Sequence, residues 1–221
     1  MSKNILKIHL ELLDKKRQEI LQKLTPFIAD FVLGGGTALA LQLAHRKSFD
    51  FDFFSSSQIP KTLLEKLSLV LPIENIVVDT LDELTFFTKD TIKITFLYYP
   101  FKPLLEHIKT KDGLRLFSIK EIALQKTYTI GRRGEYRDYF DLYTILKNGE
   151  VSLKELIIGA KQVYDGAFDE KLLLEQLVYF SDLRSFEVTP VSKTPPPTPD
   201  GIKQYFEELV RTYVDNGNVN I

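Results

Sequence analysis

The chain has 221 residues, 44% of them hydrophobic and 27% charged, which is enough apolar content to bury a core and too much for disorder. Its 29 Lys and Arg nearly balance 30 Asp and Glu, so there is no overall basic field, and any contact with nucleic acid has to rest on a local patch. The lack of cysteine excludes a disulfide scaffold, a cysteine nucleophile, a thiolate zinc site and an iron–sulfur cluster, and three histidines leave little for a histidine-rich metal site.

The length predicts one main domain with an extension or a small second one. Charges at Lys3, Lys7, Glu11, Asp14 and Lys15 leave no uncharged stretch for a signal peptide, and nowhere do 18 apolar residues run together. The expected compartment is the cytoplasm, with no membrane partner.

Ile5, Ile8, Leu12, Leu13, Ile20, Leu21 and Leu24 recur at helical spacing and predict an opening amphipathic helix that ends before Pro26. Phe31, Val32 and Leu33 then lead into Gly34, Gly35 and Gly36, followed by Thr37 and a helix-forming stretch, a pattern of strand, glycine turn and helix. Residues 49–54 alternate: Phe49, Phe51 and Phe53 fall on one face of a predicted strand, Asp50 and Asp52 on the other. Further elements are a helix over 60–71 and strands over 75–79, 83–88 and 91–99. From Gly113 onward the pattern is helical. Ser118 and Glu121 have capping-box spacing, and helices are predicted from Ser118 to near Gly131, over 136–146, 153–164 and 170–180, and over 201–214 after a stiff proline-rich spacer at 194–199. The fold class is therefore α+β: a mixed sheet with helices over residues 1–112, then a mainly helical region over 113–221.

Two carboxylates at i and i+2 on one strand face lie about 7 Å apart at their Cα atoms, close enough for Asp50 and Asp52 to share one divalent cation. A glycine turn at a helix N-terminus offers backbone N–H groups and a positive dipole end to a phosphate, which makes Gly35, Gly36 and Thr37 phosphate-binding candidates. Together the two features suit phosphoryl or nucleotidyl transfer, where catalysis is mainly positioning and charge neutralisation. Two solvated aspartates beside an ordinary tight turn give the same pattern, and so does the Asp-x-Asp motif of manganese-dependent nucleotide-sugar glycosyltransferases.

The run from Leu33 to Leu41, followed by His45, Arg46, Lys47, Ser48, Phe49, Asp50, Phe51 and Asp52, resembles the first motif of the AbiEii/AbiGii toxin family of nucleotidyltransferases, within the DNA polymerase beta superfamily. The stretch from Ser118 to Leu146, with Lys126, Arg132, Arg133, Arg137, Asp138 and Asp141, is similar to the family's later motifs. The resemblance covers roughly residues 30–150. It implies an NTP substrate, Mg²⁺ or Mn²⁺ at the Asp pair, an RNA acceptor such as tRNA, and an antitoxin partner. It also favours Arg46 as a phosphate contact, a residue whose charge would equally suit the helix C-terminus.

Lys126 falls in the middle of the apolar stripe formed by Ile119, Ile122, Ala123 and Ile130. A snorkelling side chain or a shifted helix start would explain this, and the resemblance implies an ammonium aimed at bound triphosphate. On the next helix Asp138 flanks the stripe and Asp141 lies nearly opposite, where Arg137 could pair with it across one turn. Asp138 is thus the candidate for metal support or for a base, and Asp141 stays a nucleotide-binding candidate because a small shift in docking exchanges the two. The wider superfamily places a third carboxylate on a neighbouring strand, and the best candidate strand here offers Lys93 and Thr95. That departure keeps a non-catalytic nucleotide-binding module open as the alternative.

Overall fold

The structure, a computed structural model, describes residues 7–217 and divides into two compact units, one ending at Ser118 and the other starting at Ile119. The first unit extends past the predicted boundary at 112 because a short strand, Arg115–Leu116, pairs with the sheet.

In the first unit the opening helix is shorter than its periodicity predicts. A 3-10 turn spans Leu10–Leu12, Leu13 is extended, and α1 runs only over Lys15–Leu24. The reason is local: the Asp14 side chain accepts from Arg17 N at 2.9 Å and starts the helix there. Ile5 lies outside the described residues.

Seven strands follow: β1 (Val32–Gly34), β2 (Phe51–Ser55), β3 (Ile73–Asp79), β4 (Glu83–Thr88), β5 (Lys93–Tyr98), β6 (Ile108–Lys109) and β7 (Arg115–Leu116). They form one mixed sheet in the order β3-β4-β5-β2-β1-β7-β6. β2 is central, antiparallel to β1 and parallel to β5. Two helices accompany the sheet, α2 (Gly35–Leu43) directly after β1 and α3 (Leu63–Ser68) after β2. β6 and β7 are absent from the sequence reading because two-residue strands carry no alternation.

Alternation along β2 decides where the core sits. Phe51 and Phe53 are fully buried; Phe53 stacks on Phe51 at 6.2 Å and on Phe96 at 5.2 Å, and Phe31 meets Phe96 edge-on at 4.9 Å. Asp52 and Phe54 lie on the opposite, half-open face. Phe49 departs from the expected triad of buried rings. The strand begins at Phe51, and Phe49 is 45% exposed with the Arg17 guanidinium 5.0 Å from its ring centroid.

The second unit is helical: α4 (Ile119–Thr129), α5 (Tyr136–Lys147), α6 (Leu153–Tyr164), α7 (Glu170–Val178) and α8 (Pro199–Asp215). Ser152 and Glu155 close a capping box on α6, and Asp169 caps α7. α8 starts before the predicted Gly201 because the Thr198 hydroxyl accepts from Gly201 N and Pro199 occupies the first turn, where its missing N–H costs nothing. Among the described residues no helix is long and apolar enough to cross a membrane.

Phe53→Ala removes a ring with two stacked neighbours. The expected loss is about 3–5 kcal/mol, read from the midpoint of urea unfolding at unchanged m-value.

Candidate active site

The glycine run is held by close approach on three sides. A Cβ on Gly34 would sit 2.5 Å from the Phe54 ring and 3.0 Å from Phe117; one on Gly35 would sit 2.6 Å from Asp52 Oδ2; one on Gly36 would sit 2.4 Å from Arg46 Nη2 and 3.1 Å from Ser48 Oγ. Gly35 also has φ +62°, a left-handed conformation that side chains disfavour. The start of α2 therefore packs directly on the side chains of the Asp52 strand and of the segment leading into it.

Thr37 fastens that contact. Its hydroxyl lies 2.9 Å from Ser48 Oγ and is bonded to the Asp50 carbonyl oxygen. The Thr37 side chain thus ties the helix to the approach of β2, and its contribution to an anion at the helix N-terminus would come from the backbone N–H. Gln42, buried further along α2, donates to the carbonyl oxygens of Ala38 and Phe117, both at 2.9 Å. Arg46 is 4% exposed and donates to the Lys47 carbonyl oxygen at 3.0 Å, with its guanidinium against Gly36.

Asp50 and Asp52 are both half-buried, Asp50 immediately before β2 and Asp52 within it. Asp52 pairs in register with Gly34 on one side and Thr95 on the other, and Thr95 pairs with Thr85 on β4. Thr85 Oγ1 donates to Glu83 Oε1 at 2.6 Å and lies 3.3 Å from Thr95 Oγ1. The neighbouring strand accordingly presents a buried hydroxyl beside Asp52, as the sequence indicates. Among the described residues no group of three or more carboxylate, histidine or cysteine side chains is placed to hold a metal ion. Two carboxylates are still a fitting donor set for Mg²⁺, a hard cation that binds through one or two carboxylates plus substrate phosphates, and Gly35 leaves carbon-free space against Asp52. Thr85 is the polar neighbour missed by the sequence reading, and Ser48 stands there only within the first motif, without a role; short hydroxyl residues carry no spacing signal.

In the second unit Lys126 on α4 is buried, with its Nζ 2.6 Å from Asp138 Oδ1 and 2.8 Å from Asp141 Oδ2, both on α5. Arg133 adds a bidentate contact to Asp138, Nε at 2.7 Å and Nη2 at 3.0 Å. This corrects the expected Arg137–Asp141 pair: Arg137 instead reaches Glu135 at 3.4 Å, and Lys126 takes Asp141. Lys126 lies on the core stripe because two carboxylates meet it there. Burial depresses its pKa, but Asp141 and Asp138 outweigh burial and hold it above the ordinary lysine value. Burial raises the Asp138 pKa, but Lys126 and Arg133 outweigh it and hold it below the usual carboxylate range. Arg132 lies 3.9 Å over the Tyr128 ring and donates to the Ala167 carbonyl oxygen, while Lys120 is on the surface.

The family model described as nucleotidyl transferase AbiEii toxin, Type IV TA system, matches residues 19–192. The chain belongs to that family. An uncharacterised Aquifex aeolicus protein, aq_aa25, is 32% identical over 213 residues, 92% of this chain and 98% of its own length. An H. pylori protein assigned as a nucleotidyltransferase has a similar crystal structure, with a TM-score of 0.55 at 21% identity over 98% of this chain and 99% of its own, a likeness of fold. JHP933 from Helicobacter pylori gives 0.48 at 18% identity over 96% and 98%. The α+β architecture, a mixed sheet with helices followed by C-terminal helices, is that of a family nucleotidyltransferase.

Lys126→Met leaves two buried carboxylates short of a counter-charge and should cost about 3–5 kcal/mol. Because the folded-state pKa of Asp138 is lowered, its contribution is present above the unfolded value near 3.9 and is lost as pH falls through the folded value. Urea unfolding across pH 2–6 should show that acid loss in the native chain and a smaller one in Lys126→Met.

Proposed function

We propose that this chain is a metal-dependent nucleotidyltransferase that moves a nucleotidyl group from an NTP to a hydroxyl of an RNA acceptor, tRNA in the first instance, and that it acts as the toxin of a toxin–antitoxin pair. The observation that carries the reading is the close packing of the glycine-initiated helix on the Asp52 strand, which sets the N–H groups of a helix N-terminus against a carboxylate.

In this reading the N–H groups of Gly35, Gly36 and Thr37 receive the terminal phosphates, and Arg46 adds positive charge from beneath Gly36. Asp50 and Asp52 would hold Mg²⁺ or Mn²⁺, which when bound neutralises charge on the phosphate oxygens. The acceptor hydroxyl oxygen forms a bond to the α-phosphorus as its proton passes to solvent, the bond from the α-phosphorus to the oxygen bridging it to the β-phosphate breaks, and pyrophosphate leaves. We assign the Lys126 ammonium to the triphosphate. A carboxylate with a lowered pKa is a weak proton acceptor, so Asp138 serves to position Lys126 rather than to act as a base, and Asp141 contacts the same ammonium at 2.8 Å. The glycine turn and the Asp pair then fall in the first unit, and Lys126 with its partners in the second.

The hydroxyl of Thr95 beside Asp52, where the wider superfamily has a carboxylate, supports a second reading: a nucleotide binder without turnover. Incubation with Mg²⁺, each of four labelled NTPs and total cellular RNA separates the two. Transfer of label to RNA is expected. Asp52→Asn, folded by circular dichroism, should lower the rate roughly a hundredfold or more, since metal stabilisation of the transition state is worth several kcal/mol. NTP-dependent thermal stabilisation with no label in RNA would select the binder.

A further inference from the structure

A cavity of about 320 Å³ opens on the same sheet face as Asp52, two residue pairs further along the strands. β1 and β2 pair Gly34 with Asp52 and Val32 with Phe54, and both Val32 and Phe54 line the cavity. Its volume lies at the lower end of the range of about 300–1,000 Å³ seen for small-molecule sites. All the residues that line it belong to the first unit.

The walls are aromatic. Phe54 meets Tyr99 at 5.7 Å and Phe117 at 5.6 Å, Tyr99 meets Phe101 at 5.4 Å, and His107 meets Phe117 at 5.3 Å, mostly edge to face. Two polar atoms among these walls are buried without a hydrogen-bond partner among the described residues: His107 Nε2 and Arg115 Nε. Burial first, then the nearby charges of Arg115 and Lys109, hold the His107 pKa below its ordinary value, so the ring is neutral at pH 7. Lys102 at the rim is exposed and supplies a second cation, and exposed Asp30 supplies an acceptor.

Flat aromatic walls, unpartnered donors and rim cations together match an unpaired nucleobase and its phosphate better than a free anion or an aliphatic ligand. Unpaired bases are held by stacking on aromatic and guanidinium planes and by hydrogen bonds to their edges. A free anion would leave the rings unused, and an aliphatic ligand would leave the two buried nitrogens unpaired.

We propose that this cavity is a nucleobase subsite beside the Asp pair: one unpaired base enters between Phe54, Tyr99 and Phe101, its edge meets His107 and Arg115, and its phosphate meets Lys102. The base belongs either to the donor NTP or to the end of the acceptor RNA; the chemistry of the pocket is the same for both. The naming of the ligand rests on the proposed nucleotidyl transfer, and the test separates the two.

The chain has no tryptophan, so Tyr99→Trp places a single reporter in the wall. Its fluorescence is followed in the full chain on addition of each NTP, of a single-stranded RNA trinucleotide, and of an abasic trinucleotide that keeps the phosphates. Saturable quenching by a base-bearing probe, at least tenfold tighter than by the abasic one, is expected. Quenching by NTP alone assigns the donor base, and quenching by the trinucleotide alone assigns the acceptor. Tyr99→Ala and Phe101→Ala, folded by circular dichroism, should raise KM for that same ligand about tenfold with kcat little changed, whereas a merely structural role would lower stability without this split. No saturable quenching by any base-bearing probe, or equal quenching by the abasic one, overturns the subsite, as do unchanged KM values in both alanine variants. Quenching in a native chain that transfers no label would leave the subsite standing and remove the transferase.

Discussion

Gly34, Gly35 and Gly36 each stand where a methyl group would collide with a different part of the molecule: the Phe54 ring, the Asp52 carboxylate and the Arg46 guanidinium. This contact is what brings the first turn of α2 down onto the strand that carries Asp52. Helix N-termini expose N–H groups in any protein, but here they lie against a carboxylate-bearing strand only because no Cβ intervenes. Thr37 then fixes the separation through Ser48 and the Asp50 carbonyl, and Gln42 fixes the far end of the helix to the Phe117 carbonyl. The first-turn backbone of α2 and the Asp52 side chain are positioned by one packing interaction, so a change in the glycine run would displace both.

In the second unit the organising constraint is electrostatic. Lys126, Asp138 and Asp141 are each at most 5% exposed, and removing three charges from water is costly unless each finds a partner at short range. Here two carboxylates close on one ammonium and the Arg133 fork covers the remaining lone pairs of Asp138. Asp138 also lies in the first turn of α5, where the helix dipole favours a negative charge. Hydrophobic residues of similar volume would hold α4 and α5 together as well or better, so stability alone does not account for this cluster. The cluster holds Lys126 in a single orientation, which an apolar interface would not specify.

The fold was legible where periodicity runs long. Alternation around Phe51, Asp52 and Phe53 gave the central strand, and apolar stripes gave α5, α6 and α8 to within a few residues. It failed where a local hydrogen bond overrides the pattern: Asp14 starts α1 only after the apolar repeat positions Leu12 and Leu13, through one contact to Arg17 N. It failed again at β6 and β7, which exist because β1 has an open edge for Leu116 to pair with and not because of any local preference. The helical wheel placed Lys126 on a buried stripe correctly, but the partner that permits burial comes from the next helix, and its choice of Asp141 over Arg137 depends on how α4 and α5 dock. Sequence spacing carries no information on that choice.

One register governs core and site together. Along β2 the odd-numbered rings of Phe51 and Phe53 enter the core, and the even-numbered Asp52 and Phe54 face the other way. A slip of one residue against β1 and β5 would send Asp52 into an aromatic core and turn Phe53 toward solvent, at the combined expense of a buried charge and a lost ring contact. The three-ring stack of Phe51, Phe53 and Phe96 therefore does more than stabilise the sheet. It selects the register in which Asp52 lies against Gly35, and the same selection sets Phe54 two residue pairs further along the carboxylate face, so that an aromatic cavity and an acidic site necessarily share one side of the sheet.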